Sequence, residues 1–361
     1  MMKLMQLSSF LLLFSNVDSF LEAIGPRRCH VNCPARHNTH RPTKCLVAQQ
    51  DAAEITSDRS IIKLEEDQLQ RRIQGITAIA SDVDGTLLGT DHKLSTKTKS
   101  VIERAVQQVQ NGNGALKHFF PATGKSRKGA LDSLGPDIRD LLSQLPGVFI
   151  QGLYCVDADG TIIFEKKLSP KAVAASEVLA AKFGATVIGN CGDEIYCNPT
   201  GDPGLLEEVN GKWGEPVPIQ IESLAAPDAP QFHKLVFMSN DVDMLRDEMR
   251  PELEVLAKEN EGAVTSSFPT VLEILPAGCS KALGVQKLCE KLGIDPTTDL
   301  LAMGDAENDK LMLEMAAIGV AMGNASPVAK AAADVELEES SSEGGAGLAM
   351  ERYSPLGRTP S

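Results

Sequence analysis

Residues 76–88 read Ile76-Thr77-Ala78-Ile79-Ala80-Ser81-Asp82-Val83-Asp84-Gly85-Thr86-Leu87-Leu88, an apolar run that ends in two aspartates one residue apart and then Gly-Thr. The pattern predicts a buried strand over 76–83. Its period of two would set Asp82 and Asp84 on the same side of the C-terminal end. A carboxylate pair in that position suits phosphoryl transfer: one can attack phosphorus, the other can manage a proton, and together they offer hard oxygen ligands to Mg2+.

A second acidic cluster follows a second apolar run. Leu300 to Met303 leads into Gly304-Asp305-Ala306-Glu307-Asn308-Asp309, which reads as another buried strand with carboxylates at its C-terminal end. Adjacent parallel strands would bring the two acidic ends together. Between them in sequence lie Ala122-Thr123-Gly124-Lys125, after the apolar Phe119 and Phe120, and Lys281, which opens a helix-like stretch from Ala282 to Leu292. A hydroxyl and an ammonium are what a phosphate dianion needs if it is to sit beside aspartates. Taken singly, each feature has a plain structural reading. Asp-Gly begins turns, Thr123-Gly124 can be a strand-to-helix turn, Lys281 can be solvated, and Asp309 can favour a helix dipole.

Four such motifs in this order resemble the haloacid dehalogenase (HAD) superfamily, and within it the Cof-type phosphatases with a large α/β (type IIB-like) cap. The narrower resemblance rests on Asp91-His92-Lys93-Leu94-Ser95, the compact Gly304 to Asp309 form, Ala321-Met322-Gly323-Asn324-Ala325 and Glu343 to Ala349, so that it spans roughly residues 75–355. It implies an α/β fold: a Rossmann-like core on a parallel sheet with an inserted α/β cap. It also implies Asp82 as nucleophile and Asp84 as acid/base, with Thr123, Gly124, Lys281 and Asn308 binding phosphate. Asp82, Asp84 (through its carbonyl), Asp305 and Asp309 would hold Mg2+. The sequence departs from the family at Lys125, where Arg is common, and at Gln151-Gly152, where Asn-Gly is common. Pro121 cannot donate to a ladder, so the strand there is expected to end or bulge.

The implied organisation is a leader over 1–60, core over 61–167, cap over 168–270 and core again over 271–361. A helix is expected over 57–73. Another begins near Ser95 or Thr96, with Ile102, Ala105, Val106 and Val109 on one face and Asn111-Gly112 as its stop. Within the cap the patterns predict a helix over 172–183, a strand over 234–238 and a helix over 242–258. Asp193, Glu194, Tyr196 and His233 are candidates for reading the substrate's organic part.

With 35 Lys and Arg against 49 Asp and Glu, the formal charge is -14. That disfavours nucleic acid and anionic membranes as partners and leaves a small phosphorylated metabolite captured by local positive groups and metal. Phe10 to Phe14 has the length of a signal-peptide core, and residues 21–50 carry five Arg and Lys against Glu22 alone. A signal peptide followed by a basic transit peptide resembles the bipartite leader of algae with secondary plastids, which points to the plastid stroma, with secretion as the alternative and no anchor in the mature protein. Cys29 and Cys33 lack a distal Cys/His pair for zinc. The five later cysteines make a poor disulfide framework, with Cys191 and Cys197 as a conceivable redox pair. The function expected is Mg2+-dependent phosphomonoester hydrolysis, most readily of a sugar phosphate. The alternatives are a flavin, pyridoxal or pyrimidine phosphate, a phosphosugar mutase, or a metabolite-binding regulator without catalysis.

Overall fold

The apolar run before Asp82 forms the buried strand Ala78–Ser81, in a computed structural model that describes residues 54–55, 60–266 and 268–357. The strand is shorter than the 76–83 predicted. Asp82 still donates its N–H to Met303 O at 3.0 Å, but beyond it the chain turns back, with Leu88 N–H donating to Val83 O at 2.8 Å. Asp82 and Asp84 therefore do not share a strand face. The expected leader lies outside the described residues, apart from 54–55 and 60.

Ala78–Ser81 sits inside a seven-stranded sheet ordered Glu54–Ile55, Ile61–Ile62, Val335–Glu336, Ile318–Ala321, Leu300–Gly304, Ala78–Ser81, His118–Pro121. The last five pair in parallel. As the proline predicts, the last of them ends at Pro121. Alternate residues point to opposite faces. Ile79, Phe119, Leu301 and Met303 pack beneath Ile102, Ala105, Val106, Ala346 and Ala349. Ala78, Phe120, Leu300 and Ala302 pack on the other side against Val285, Leu288, Met312 and Ala329. Helices thus cover both faces, which is why the strands read as continuous apolar runs. The helix Thr96–Asn111 starts at Ser95, whose hydroxyl accepts from Thr98 N–H, and stops at Gly112. The helix expected over 57–73 is instead the strand Ile61–Ile62 followed by Glu66–Gly75; the apolar pair at 61–62 is taken by sheet pairing with Val335 and Glu336.

The segment between Thr123 and Lys281 builds two further sheets. Gly147–Phe149, Tyr154–Val156 and Ile162–Glu165 form three antiparallel strands, bridged to the core sheet at Ala122 and Val148. A six-stranded sheet follows, ordered Ile219–Gln220, Glu194–Cys197, Thr186–Cys191, Lys234–Met238, Val271–Pro276, Gly262–Thr265. One face carries Leu235, Phe237 and Ile274 under residues of the helices Pro170–Phe183 and Arg250–Glu259. The other carries Val236 and Met238 against Leu205 and Val209. Lys234–Met238 has the predicted bounds. Val271–Pro276 pairs with it, so the inserted sheet takes in residues up to 276. Cys191 and Cys197 lie on opposite faces of this sheet. They pair with Glu194 and Ile188 respectively, an arrangement that no disulfide spans.

His233, just before Lys234–Met238, is 1% exposed. Its Nδ1 accepts from Gly192 N–H at 3.3 Å, and its Nε2 lies 3.4 Å from Glu165 at the end of the small sheet. Burial pushes its pKa down to about 4, helped by Lys167 and opposed by Glu165. The fold therefore accepts the neutral ring, while the unfolded chain protonates near pH 6.5. The stability this contributes is complete above about pH 6.5 and lost as pH falls towards 4, a loss of roughly 3 kcal/mol. Urea titrations of wild type and His233→Gln across that window should diverge by this amount; parallel pH profiles would refute the assignment.

Candidate active site

Parallel pairing of Ala78–Ser81 with Leu300–Gly304 sets Ser81 opposite Met303, so Asp82 and Asp305 leave the sheet side by side. Pairing with His118–Pro121 on the other flank delivers Thr123 to the same edge, where its N–H donates to Val148 O at 2.9 Å. Lys281 enters from the first turn of Lys281–Leu292, a helix capped by the Ser280 hydroxyl. Its ammonium lies 2.8 Å from Asp82 Oδ1 and 2.6 Å from Asp309 Oδ1, and all three side chains are buried. The other oxygen of Asp309 accepts from the N–H groups of Asp305 and Ala306, both at 3.0 Å.

Oxygens of Asp82, Asp305 and Asp309 lie within 4.8 Å of one another. Burial pushes the Asp82 carboxyl well above the usual range; Lys281 pulls it down in part, and Asp309 and Asp305 push it further up. Burial and the Asp309 charge raise Asp305 to about 6, against a bond from the Thr86 hydroxyl. Burial alone would lower the Lys281 pKa, but the charges of Asp309 and Asp82 overcome it and hold the ammonium above its ordinary value. Three carboxylates facing one ammonium leave a deficit of positive charge, and every donor is a hard oxygen. That set fits Mg2+. Asp82, Asp305 and Asp309 are all close enough to share it, with Asp309 also tied to Lys281 and to two backbone N–H groups.

Asp84 is turned away from this cluster. Its Oδ1 lies 2.9 Å from Lys125 Nζ and 3.8 Å from His92 Nδ1, and Lys125 also donates to Ser133 Oγ at 3.0 Å. The turn that carries it there needs Gly85: the backbone has φ +75°, and a Cβ would fall 2.2 Å from Asp305 Oδ2. Gly124 O accepts from Lys234 at 3.4 Å. Asn308 donates to Gln151 Oε1 at 3.1 Å, so the departure at residue 151 still supplies a polar partner.

Sequence reasoning missed two supports. The Thr86 hydroxyl donates to Asp305 Oδ1 at 3.1 Å. Asn324 donates to Gly85 O at 2.8 Å and to Asp305 Oδ2 at 3.3 Å, while its own Oδ1 accepts from Ser341 N–H at 2.8 Å. Asn324 follows the C-terminal end of Ile318–Ala321, so the rule that ligands gather at strand carboxyl ends points to it. Among the residues suggested for substrate reading, His233 is interior, and Asp193 faces Arg127 at 3.5 Å. Glu194 accepts from the Tyr196 hydroxyl. Asp193 and Glu194 also line a cavity of about 450 Å³ between residues 193–219 and the helix Arg127–Ser133.

The model of the haloacid dehalogenase-like hydrolases matches residues 79–348. The chain belongs to that family. An HMP-PP phosphatase of Cronobacter sakazakii is 31% identical over 69% of this chain and 84% of its own length. Endoribonuclease YBEY, chloroplastic, of Arabidopsis thaliana is 29% identical over 84% of this chain. The match spans only about half (51%) of that relative's length, so its named activity is not carried over. A solved HAD subclass IIB sugar phosphatase superposes with TM-score 0.62 at 23% identity, covering 77% of this chain and 98% of its own. It shares the fold over that length. The chain is thus a HAD-like hydrolase of the phosphatase kind.

Removing the ammonium should leave buried carboxylates uncompensated. Lys281→Met is expected to cost about 3–5 kcal/mol, read as a lowered urea midpoint at pH 7. An unchanged midpoint would mean that the Asp82–Lys281–Asp309 chain is not what holds these strand ends together.

Proposed function

We propose that the protein is a Mg2+-dependent phosphomonoesterase that acts on a small phosphorylated metabolite through an aspartyl-phosphate on Asp82. The observation that carries this reading is a buried carboxylate with one oxygen on a fixed ammonium, at the edge where three strand ends converge. Lys281 holds Asp82 Oδ1, which leaves Oδ2 to attack phosphorus as the bond from phosphorus to the leaving oxygen breaks. Asp84, half-exposed beside Lys125 and His92, donates a proton to that oxygen. As a carboxylate it then takes a proton from the water that attacks the phosphoryl group, and the phosphorus–Asp82 bond breaks to release inorganic phosphate.

The Thr123 hydroxyl oxygen accepts from Lys125 N–H at 3.2 Å, so its proton is directed to a phosphoryl oxygen. Backbone of Gly124 and the amide of Asn308 complete the phosphate cradle. Asp309 orients Lys281 and can join Asp82 and Asp305 as a ligand. Asp82 and Asp305, with the Asp84 carbonyl, would hold Mg2+, which would supply neutralisation of the developing phosphoryl charge. Positioning and electrostatics supply most of the rate in this chemistry.

A sugar phosphate is the first substrate class to test, because a subclass IIB sugar phosphatase shares the fold. A pyrimidine phosphate is the second, because the Cronobacter relative is named for one. Residues 1–60 would be a leader, 168–276 the cap, and the rest the core. The chloroplast location in the Arabidopsis relative's name supports a plastid enzyme.

Phosphate release from a panel of phosphometabolites with Mg2+ should fall by about 10³-fold or more in Asp82→Asn. Undiminished release in that variant would sink the covalent route. Mg2+ at 100 times its Kd should stabilise the fold by about 2.7 kcal/mol. That gain should vanish in Asp305→Asn and shrink below about pH 6, where the Asp305 carboxyl holds a proton the cation must displace. A melting temperature indifferent to Mg2+ would argue against the metal site.

A further inference from the structure

Glu215 belongs to the inserted segment, yet its carboxylate is buried in the core domain, 9% exposed. It accepts from the Ser126 N–H at 3.1 and 3.3 Å and from the Ser126 hydroxyl. That hydroxyl is itself the cap of the helix Arg127–Ser133, accepting from Gly129 N–H at 3.0 Å. The glutamate backbone is held as well: its N–H donates to Val209 O at 3.0 Å, and its carbonyl accepts from Asn210 Nδ2 at 2.7 Å. Room for the carboxylate exists only because residue 129 is glycine. A Cβ there would lie 2.3 Å from Glu215 Oε2.

Ser126 ends the loop that begins at Thr123. The other side of that loop is met by a second residue of the inserted sheet, Lys234, whose ammonium lies 3.4 Å from Gly124 O and 3.3 Å from Glu273. The segment that presents Thr123 and Lys125 to the catalytic edge is thus gripped from both ends by the cap. A buried carboxylate is costly unless it is fully hydrogen-bonded, and among the described residues the hydrogen bonds to the Glu215 carboxylate come from Ser126 of this loop. Were the inserted segment to move off this loop, Ser126 would lose its acceptor and Glu215 its donors together.

We propose that Glu215 is a positioning residue, a cap carboxylate that grips the Thr123–Ser126 loop so that the loop is set for phosphate only when the cap is closed. This rests on reading that loop as the phosphate cradle. The consequence is that cap closure and phosphate affinity are coupled: a substrate whose organic part keeps the cap open also loses phosphate contacts.

Two variants break the grip from opposite sides. Glu215→Ala removes the carboxylate, whereas Gly129→Ala evicts it while favouring the helix, since alanine suits a helix better than glycine. Each should raise the inhibition constant of inorganic phosphate against p-nitrophenyl phosphate hydrolysis about tenfold, and speed amide hydrogen exchange over 123–127 about tenfold. The double variant should be no worse than either single one, because both remove the same contact. Glu215→Gln, whose amide oxygen still accepts from Ser126, should recover much of both. Unchanged phosphate inhibition and exchange in the two alanine variants, or losses that add in the double variant, would overturn the proposal. If the wild-type protein hydrolyses nothing, the phosphatase reading fails on its own and the exchange measurement alone decides the grip.

Discussion

The Lys281 ammonium, buried between Asp82 and Asp309, is the constraint on which the rest of the site depends. A single cation in a nearly dry pocket must satisfy two carboxylates that arrive from different strands, so the strand ends are fixed relative to each other by charge as well as by ladder hydrogen bonds. Asp309 carries that order onward. With one oxygen on Lys281 and the other on two backbone amides, it holds the turn after Leu300–Gly304 in the shape that brings Asp305 forward. Asp305 is then steadied by Thr86 and Asn324, which belong to the turns after two other strands. The charge deficit that remains is what suits the site to a cation.

Much of this was legible in the sequence because parallel strands advertise themselves. A strand buried on both faces is an unbroken apolar run, and polar residues directly after such a run stand at the sheet's carboxyl edge. That logic placed Asp82, Thr123 and Asp305 together from residue order alone. Lys281 was legible through the helical repeat that follows it. Asp84 was placed on the wrong geometry: strand period was extended two residues too far, past the point where Gly85 admits a left-handed turn. The fact that Asp84 faces Lys125 is a tertiary outcome, since Lys125 comes from a neighbouring strand's loop.

The inserted segment was less legible for a physical reason. Its sheet is almost wholly antiparallel, with pairing between strands far apart in sequence, such as Thr186–Cys191 with Lys234–Met238. Local periodicity found elements there but not partners. Thus Val271–Pro276 reads as easily as a core strand as a cap strand, and only its register with Lys234–Met238 decides. Glu215 gives no signal in sequence at all. A carboxylate between Gly214 and Pro216 looks solvated, and its burial depends on a glycine 86 positions earlier in the chain.

The chain also contains its own control for motif reading. Asp157-Ala158-Asp159-Gly160-Thr161 repeats the Asp-x-Asp-Gly-Thr pattern of residues 82–86, and it too follows a strand, Tyr154–Val156. There the chain closes a hairpin, with Asp157 N–H donating to Thr161 O at 2.8 Å and Gly160 N–H to Asp157 O at 2.9 Å. The second copy stays in solvent, with Asp159 exposed and its carboxyl held below the usual range by Thr161. The difference lies in the neighbours rather than the five residues. In a hairpin a strand's carboxyl end meets the amino end of the strand that follows, so nothing converges on it. In a parallel sheet it meets the carboxyl ends of other strands, each with its own side chains to contribute. Buried parallel pairing is therefore what turns an acidic turn sequence into a site able to do chemistry.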